Sequence, residues 1–267
     1  MHWYCHLLLT FFLSCFFISC NDSDPEDNNT NTTIKAVPAI SYSITSTLPH
    51  DTSYFTEGLE YYNNTLIEST GLNGKSKLVQ TEPSTGKVLK SVNLDEKYFG
   101  EGITILNDTV YQRTWQEHVV LVYTASDFKK VKELPLNGQG WGLTNDGKHL
   151  IASNGSSELY FYEPHTFKLL KTVSVTERGS VVPNLNELEY VNGAIYANQW
   201  QQNYIYRIDP NSGEVTGKTD LSELVTNARQ QYVNAEVLNG IAYNQATGKF
   251  TLTGKNWPMM FEVQFGQ

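Results

Sequence analysis

Glu101 lies between Gly100 and Gly102, and the β-forming residues Ile103 and Ile105 follow at once. Glycine on either side lets the backbone bend tightly and leaves room beside the acid. A single Gly-Glu-Gly reads most simply as a solvated loop, but variants of this phrase recur along the chain. They are Phe55-Thr56-Glu57-Gly58-Leu59, Phe99-Gly100-Glu101-Gly102-Ile103, Gln139-Gly140-Trp141-Gly142-Leu143, Leu185-Asn186-Glu187-Leu188-Glu189 and Leu238-Asn239-Gly240-Ile241-Ala242. With Gly58, Gly102, Gly142, Glu187 and Gly240 taken as equivalent, the steps are 44, 40, 45 and 53 residues. The polar candidates for chemistry are Glu57, Glu101, Asn186, Glu187, Asn239 and Lys255. A carboxyl walled by aromatic rings loses hydration, so its pKa moves toward neutrality and it can give and take a proton near pH 7. A lysine beside it could stabilise a developing oxyanion.

The aromatic walls are available. Outside the leader the tryptophans are Trp115, Trp141, Trp200 and Trp257, and all four fall in these phrases or in the loops one strand further on. An aromatic pocket with a few polar groups is the usual form of a small-ligand site. Other chemistries lack their residues. The chain has no Gly-x-Ser-x-Gly, no phosphate loop and no histidine pair at metal spacing, and Cys5, Cys15 and Cys20 are its only cysteines. The body therefore has no disulfide framework, no cysteine-type zinc site and no cysteine nucleophile. A net charge of -9 without a basic stripe argues against nucleic acid as a partner.

The elements that must position these residues are strands. From Ala39 onward, short runs rich in Val, Ile, Tyr, Phe and Thr alternate with Gly, Asn, Asp and Pro. A helical turn is expected only around Leu221–Arg229. Each phrase leads into a strand, a tight turn and further strands, four per unit. The fifth unit runs out of chain, and the spare segment Ala39–Leu48 supplies its missing strand. Four strands per repeat at this spacing predict an all-β, five-bladed β-propeller whose last blade is closed by the N-terminal strand. The repeated phrases would then converge at one mouth of the central channel.

Taken together, Phe55–Leu59, Phe99–Gly102, Thr114-Trp115, Gly140–Leu143, Asn186–Glu189, Asn198–Trp200, Leu238–Ala242 and Thr253–Pro258 resemble the plant-type and bacterial glutaminyl-peptide cyclotransferases. The resemblance runs from about Tyr42 to Phe265. It implies a five-bladed propeller that converts an N-terminal glutamine to pyroglutamate with release of ammonia. Glu101 would be the acid/base. Asn186 and Lys255 would be its polar partners, and Trp115, Trp141 and Trp200 its aromatic pocket. Phe55 and Phe99 would add to the substrate wall, as would Glu57, which stands where some relatives carry Gln. The resemblance implies peptides or proteins with N-terminal glutamine as substrates, a monomer, and no metal or cofactor for catalysis, with room for a structural calcium. Two alternatives stay open: a calcium-dependent, lactonase-like propeller hydrolase using Glu57, Glu101, Asn186 and Asn239, and a non-enzymatic binding propeller.

The N-terminus reads differently. Residues 7–19 form an apolar run of signal-peptide length, and Phe17-Ile18-Ser19-Cys20 resembles a bacterial lipobox. Residues 1–19 are expected to be a lipoprotein-type signal peptide, with Cys20 the lipidated residue. Residues 20–38 are a polar, acidic tether, and 39–267 the catalytic domain. This layout expects a membrane-anchored protein of the bacterial cell envelope, its domain outside the cytoplasm.

Overall fold

The structure, a computed structural model, describes residues 36–266. The signal segment, Cys20 and most of the tether lie outside the described residues. Blade 1 is β2 (Thr56–Tyr62), β3 (Thr65–Thr70), β4 (Lys77–Thr81) and β5 (Val88–Asn93). Blade 2 is β6 (Gly100–Leu106), β7 (Thr109–Thr114), β8 (Val119–Thr124) and β9 (Lys130–Pro135). Blade 3 is β10 (Leu143–Asn145), β11 (Leu150–Ala152), β12 (Glu158–Tyr162) and β13 (Leu169–Ser174). A small hairpin, β14 (Thr176–Glu177) with β15 (Ser180–Val181), precedes blade 4. That blade is β16 (Leu185–Val191), β17 (Ala194–Gln199), β18 (Tyr204–Ile208) and β19 (Val215–Asp220). Helix α1 (Ser222–Gln231) then leads to β20 (Leu238–Asn244), β21 (Lys249–Gly254) and β22 (Met259–Phe265). The fourth strand of blade 5 is β1 (Tyr42–Pro49), antiparallel to β22 from Tyr42↔Phe265 to Pro49↔Met259. Each blade is therefore a four-stranded antiparallel sheet, and the ring closes through its N-terminal strand, as the repeat predicts.

The local sequence explains the hairpins. Asn63-Asn64 and Asn107-Asp108 have positive φ at both turn residues, the type I′ geometry that matches strand twist. The long last step of the repeat is accounted for by α1, whose Leu224, Val225 and Ala228 are buried in the cluster that also holds Trp257 and Leu238. Ala39 bridges Lys218 of β19, and the Ile40 N–H donates to the Lys218 carbonyl at 2.8 Å, so the chain is tied to blade 4 before joining blade 5. The outermost strands β9 and β13 are mostly exposed and carry Lys130, Lys132 and Lys171, charges that discourage edge-to-edge pairing.

The inner strands crowd at the channel. A Cβ on Gly58 would lie 2.6 Å from the Ile103 nitrogen, and one on Gly102 2.5 Å from the Leu143 nitrogen, so only glycine permits this approach. The fifth equivalent is Glu187. Its carboxyl accepts the Leu59 N–H of blade 1 at 3.3 Å and the Ile241 N–H of blade 5 at 2.9 Å. Blades 4 and 1 are not neighbours in a five-membered ring, so this side chain reaches across the axis and fills it. Burial, reinforced by the nearby Glu189, raises its pKa well above the usual carboxylate range.

Candidate active site

The repeat builds the site in layers. At four of the five neck positions, the backbone carbonyl three residues earlier receives an N–H from the loop that follows the second strand. Gly71 donates to Phe55, Trp115 to Phe99, Trp200 to Asn184 and Lys255 to Val237, at 2.8 to 3.0 Å. This fixes Trp115, Trp200 and Lys255 at corresponding points around one mouth. Where the same register position is glycine, an aromatic ring from a lead-in occupies the space, that of the next blade at Gly71 and that of its own blade at Gly155. A Cβ on Gly71 would lie 2.5 Å from the Phe99 ring, and one on Gly155 2.7 Å from the Trp141 ring.

One residue before each neck position lies the floor. Glu57, Glu101, Trp141 and Asn186 line a single pocket of about 340 Å³, with Phe55, Phe99, Trp115, Trp200 and Lys255 around them. The structure thus brings together the nine residues that the resemblance assigns to the site, while Glu187, Asn239 and Trp257, also singled out from the sequence, do not line the pocket. Phe99 packs edge-on to Phe55 at 6.2 Å and tilted against Trp115 at 5.6 Å, forming one wall. Trp141 and Trp200 meet edge to face at 5.7 Å and form the other. These are the offset geometries aromatic pairs prefer.

The charges are arranged in sequence across the floor. Lys255 Nζ donates to Glu57 Oε1 at 2.6 Å and sits 4.4 Å from the centre of the Phe55 ring. Asn239 Nδ2 donates to Glu57 Oε2 at 3.2 Å, so Asn239 supports the floor from behind. Burial raises the pKa of Glu57, and the Lys255 ammonium opposes that rise. Glu101 is raised well above the usual range by burial and by the charge of Glu57, with Lys255 and Arg113 only partly offsetting. Close, buried acids cannot both ionise, and the lysine favours ionised Glu57. Lys255 sits on Glu57, so of the two acids Glu101 is the one biased toward its neutral form. Asn186 completes the floor with Oδ1 buried and without a hydrogen-bond partner among the described residues.

One expectation needs correction. Trp257 does not line the mouth. It is fully buried in blade 5, packed edge to face on Phe261 at 6.0 Å, with its indole N–H on the Glu236 carbonyl at 3.1 Å. In the loop after its second strand, blade 5 presents Lys255 to the pocket and turns Trp257 into the core. Glu187 belongs to the channel neck rather than to the pocket.

Sequence reasoning missed Gln139, Gln201, Glu236 and Val237. The last three line the pocket. Gln139 Oε1 accepts the indole N–H of Trp115 at 3.2 Å and of Trp141 at 3.4 Å, joining one residue of each wall. Its own carbonyl accepts from Arg113 Nη2 at 3.2 Å, and Arg113 Nη1 also donates to the carbonyls of Gly142 and Ser153. Gln139 and Val237 stand at the repeat position of Phe55 and Phe99, which is the signal that could have found them.

A buried carboxyl of raised pKa beside a carboxyl–lysine pair, between aromatic walls at the mouth of a five-bladed ring, defines a propeller with the pocket of an enzyme for a small polar ligand. Comparison with known proteins agrees. The family described as Glutamine cyclotransferase matches residues 14–265. A glutaminyl-peptide cyclotransferase of Arabidopsis thaliana is 39% identical over 227 residues, covering 84% of this chain and 71% of the plant protein. The crystal structure of Myxococcus xanthus glutaminyl cyclase superposes with a TM-score of 0.81 at 34% identity, covering 86% of this chain and 98% of that one. The chain belongs to the glutamine cyclotransferase family.

Proposed function

We propose that this pocket carries out its family's reaction by side-chain acid–base chemistry centred on Glu101. An N-terminal glutamine is converted to pyroglutamate with release of ammonia. The α-amine, with an ordinary pKa near ~7.7, is substantially neutral at pH 7–8. It attacks the side-chain amide carbon of its own residue. Because the reaction is intramolecular, the walls contribute mainly by holding the side chain in a ring-like conformer. Glu101 gives its proton to the departing amide nitrogen and takes one from the attacking amine, ending each turnover protonated. Lys255 donates to the amide oxygen as charge develops there, with Asn186 Nδ2 as the second donor. The unpartnered Asn186 Oδ1 accepts an N–H of the glutamine carboxamide. A glutamate in the same place would bring a carboxylate against Glu57 and an orphan acceptor, and is disfavoured.

The observation that carries this reading is the division of labour on the floor: Glu57 is matched by Lys255, leaving Glu101 protonated and free. Its test is ammonia release from a Gln-Ala dipeptide by the purified protein, with and without chelator. Release that persists after chelation is expected. Activity abolished by chelator and restored by calcium would favour a metal-dependent hydrolase instead.

The proposal extends to the N-terminus. Residues 1–19 direct export and Cys20 carries the lipid, placing the domain on the cell envelope outside the cytoplasm. The apolar run at 7–19 and the acidic stretch after Cys20 support it. A Cys20→Ser protein that still partitions with membranes would contradict it.

A further inference from the structure

The charges at the mouth are mostly used up among themselves. Lys255 is matched by Glu57, Arg113 is committed to three backbone carbonyls, and Glu101 holds its proton. What remains for an incoming peptide is Glu236. It lines the pocket, is exposed, and its carboxylate takes no hydrogen bond or ion pair from any described residue. Yet its backbone is firmly placed. The Glu236 N–H donates to the Lys255 carbonyl at 2.9 Å, its carbonyl receives the Trp257 indole at 3.1 Å, and Arg229 Nε holds the preceding Ala235 carbonyl at 3.3 Å. Its charge is felt at the floor, where it adds to the rise of Glu57. Glu117 lies on the Phe99 side, with Oε2 3.4 Å from the Phe99 N–H, and adds to the rise of Glu101.

This geometry meets the substrate at a definite point. Glutamine cyclisation takes place at the floor, so the rest of the peptide must leave through the mouth. A pocket of about 340 Å³ lies in the range that takes a ligand larger than one side chain. The residue after the glutamine therefore passes the rim. We propose that Glu236 is the specificity-determining residue of a second-residue subsite, which takes a basic side chain next to the glutamine and disfavours an acidic one. The inference rests on the cyclase reading. Glu236 attracts Lys or Arg there and repels Asp or Glu, with Glu117 adding a weaker push in the same direction. Rim charges act through an aqueous path, so the preference is modest and salt-sensitive.

The test compares kcat/KM for amidated Gln-Lys, Gln-Ala and Gln-Glu peptides in the wild-type protein, Glu236→Gln and Glu236→Lys. The wild type should prefer the lysine peptide over the glutamate peptide by about tenfold at low ionic strength, on the scale of solvated charge pairs. The ratio should shrink toward one in concentrated salt. It should fall to about threefold in Glu236→Gln and below one in Glu236→Lys. A wild-type ratio within about twofold of one, or a ratio unchanged in Glu236→Gln, would overturn the subsite. Absence of ammonia release from all three peptides would overturn the cyclase reading itself, and this subsite with it.

Discussion

The channel has two mouths, and each holds a pair of buried carboxyls with raised pKa. At one lie Glu57 and Glu101. At the other, Glu60 and Glu189 stand at a polar cavity of about 630 Å³, lined also by Thr144, Asn145 and Tyr243. Burial pushes Glu60 up to about 8, and burial together with the charge of Glu60 raises Glu189 well above the usual range. Cavity size and perturbed pKa alone would point to the second mouth. What separates the two is what the oxygens are doing. Glu60 accepts the Ile105 N–H at 2.9 Å and Glu189 the Tyr243 N–H at 2.8 Å, each fastening its blade to the inner strand of the next. Among the described residues, Glu57 is held by side chains alone and Glu101 has no backbone donor. The second mouth also lacks a lysine and tryptophan walls among its lining residues. Perturbed pKa thus marks a blade fastener as readily as the proposed proton carrier, and free hydrogen-bonding capacity tells them apart.

The largest effect that would sharpen this contrast, short of removing Glu101, comes from Lys255→Met. It removes a donor to the developing oxyanion, and kcat should fall by about 10²–10³-fold. It also leaves Glu57 buried without its cation, which should cost roughly 3 kcal/mol in a denaturation experiment unless Glu57 takes up a proton. A kcat within a few-fold of wild type would detach Lys255 from the chemistry.

The walls come next. Trp115→Ala removes buried aromatic surface from the pocket side only, so KM should rise about 30-fold, equivalent to ~2 kcal/mol, with kcat changed much less. An unchanged KM would make Trp115 a blade wedge like Trp257. Gln139→Ala should raise KM about fivefold by freeing both indoles. Gln139→Glu, which keeps the acceptor, should restore most of it; equal KM values for the two variants would remove Gln139 from the positioning of the walls.

At the other mouth the expected effect is on stability. The fold keeps the proton on Glu60 up to about pH 8, whereas the ordinary carboxyl loses it near 4.5. The folded state therefore binds more protons across that window, and stability falls as pH rises through it. Glu60→Gln cannot ionise, so between pH 5 and 8 its melting temperature should drop less than that of wild type. Parallel curves would show that Glu60 ionises normally.

The repeat made much of this legible in the sequence. Because equivalent phrases in a closed ring must meet at one face, the spacing of Gly58, Gly102, Gly142, Glu187 and Gly240 was enough to gather residues as distant as Phe55 and Lys255. The closing strand was readable for the same reason, since four blades had four strands and the fifth had three. What was not readable depends on side-chain direction. Trp257 follows a turn that points Lys255 into the pocket and itself into the core, and spacing cannot tell these apart. Gln139 and Glu236 are polar residues in loops, and only the observed indole contacts and the absence of partners give them meaning. Residue types and spacing alone do not rank Glu101 above Glu57 and Glu187; the resemblance selects it, and the structure adds that the Glu187 oxygens hold backbone N–H groups.

The most direct measurement is kcat on Gln-Ala for Glu101→Gln and Glu189→Gln side by side, with melting temperatures recorded for both. Glu101→Gln should lose about 10²–10⁴-fold in kcat while staying folded. Glu189→Gln, lying behind the Glu187 plug and still able to accept the Tyr243 N–H, should stay within about threefold of wild type. Near-normal turnover by folded Glu101→Gln, or a comparable loss in folded Glu189→Gln, would contradict the assignment of the chemistry to the tryptophan-walled mouth.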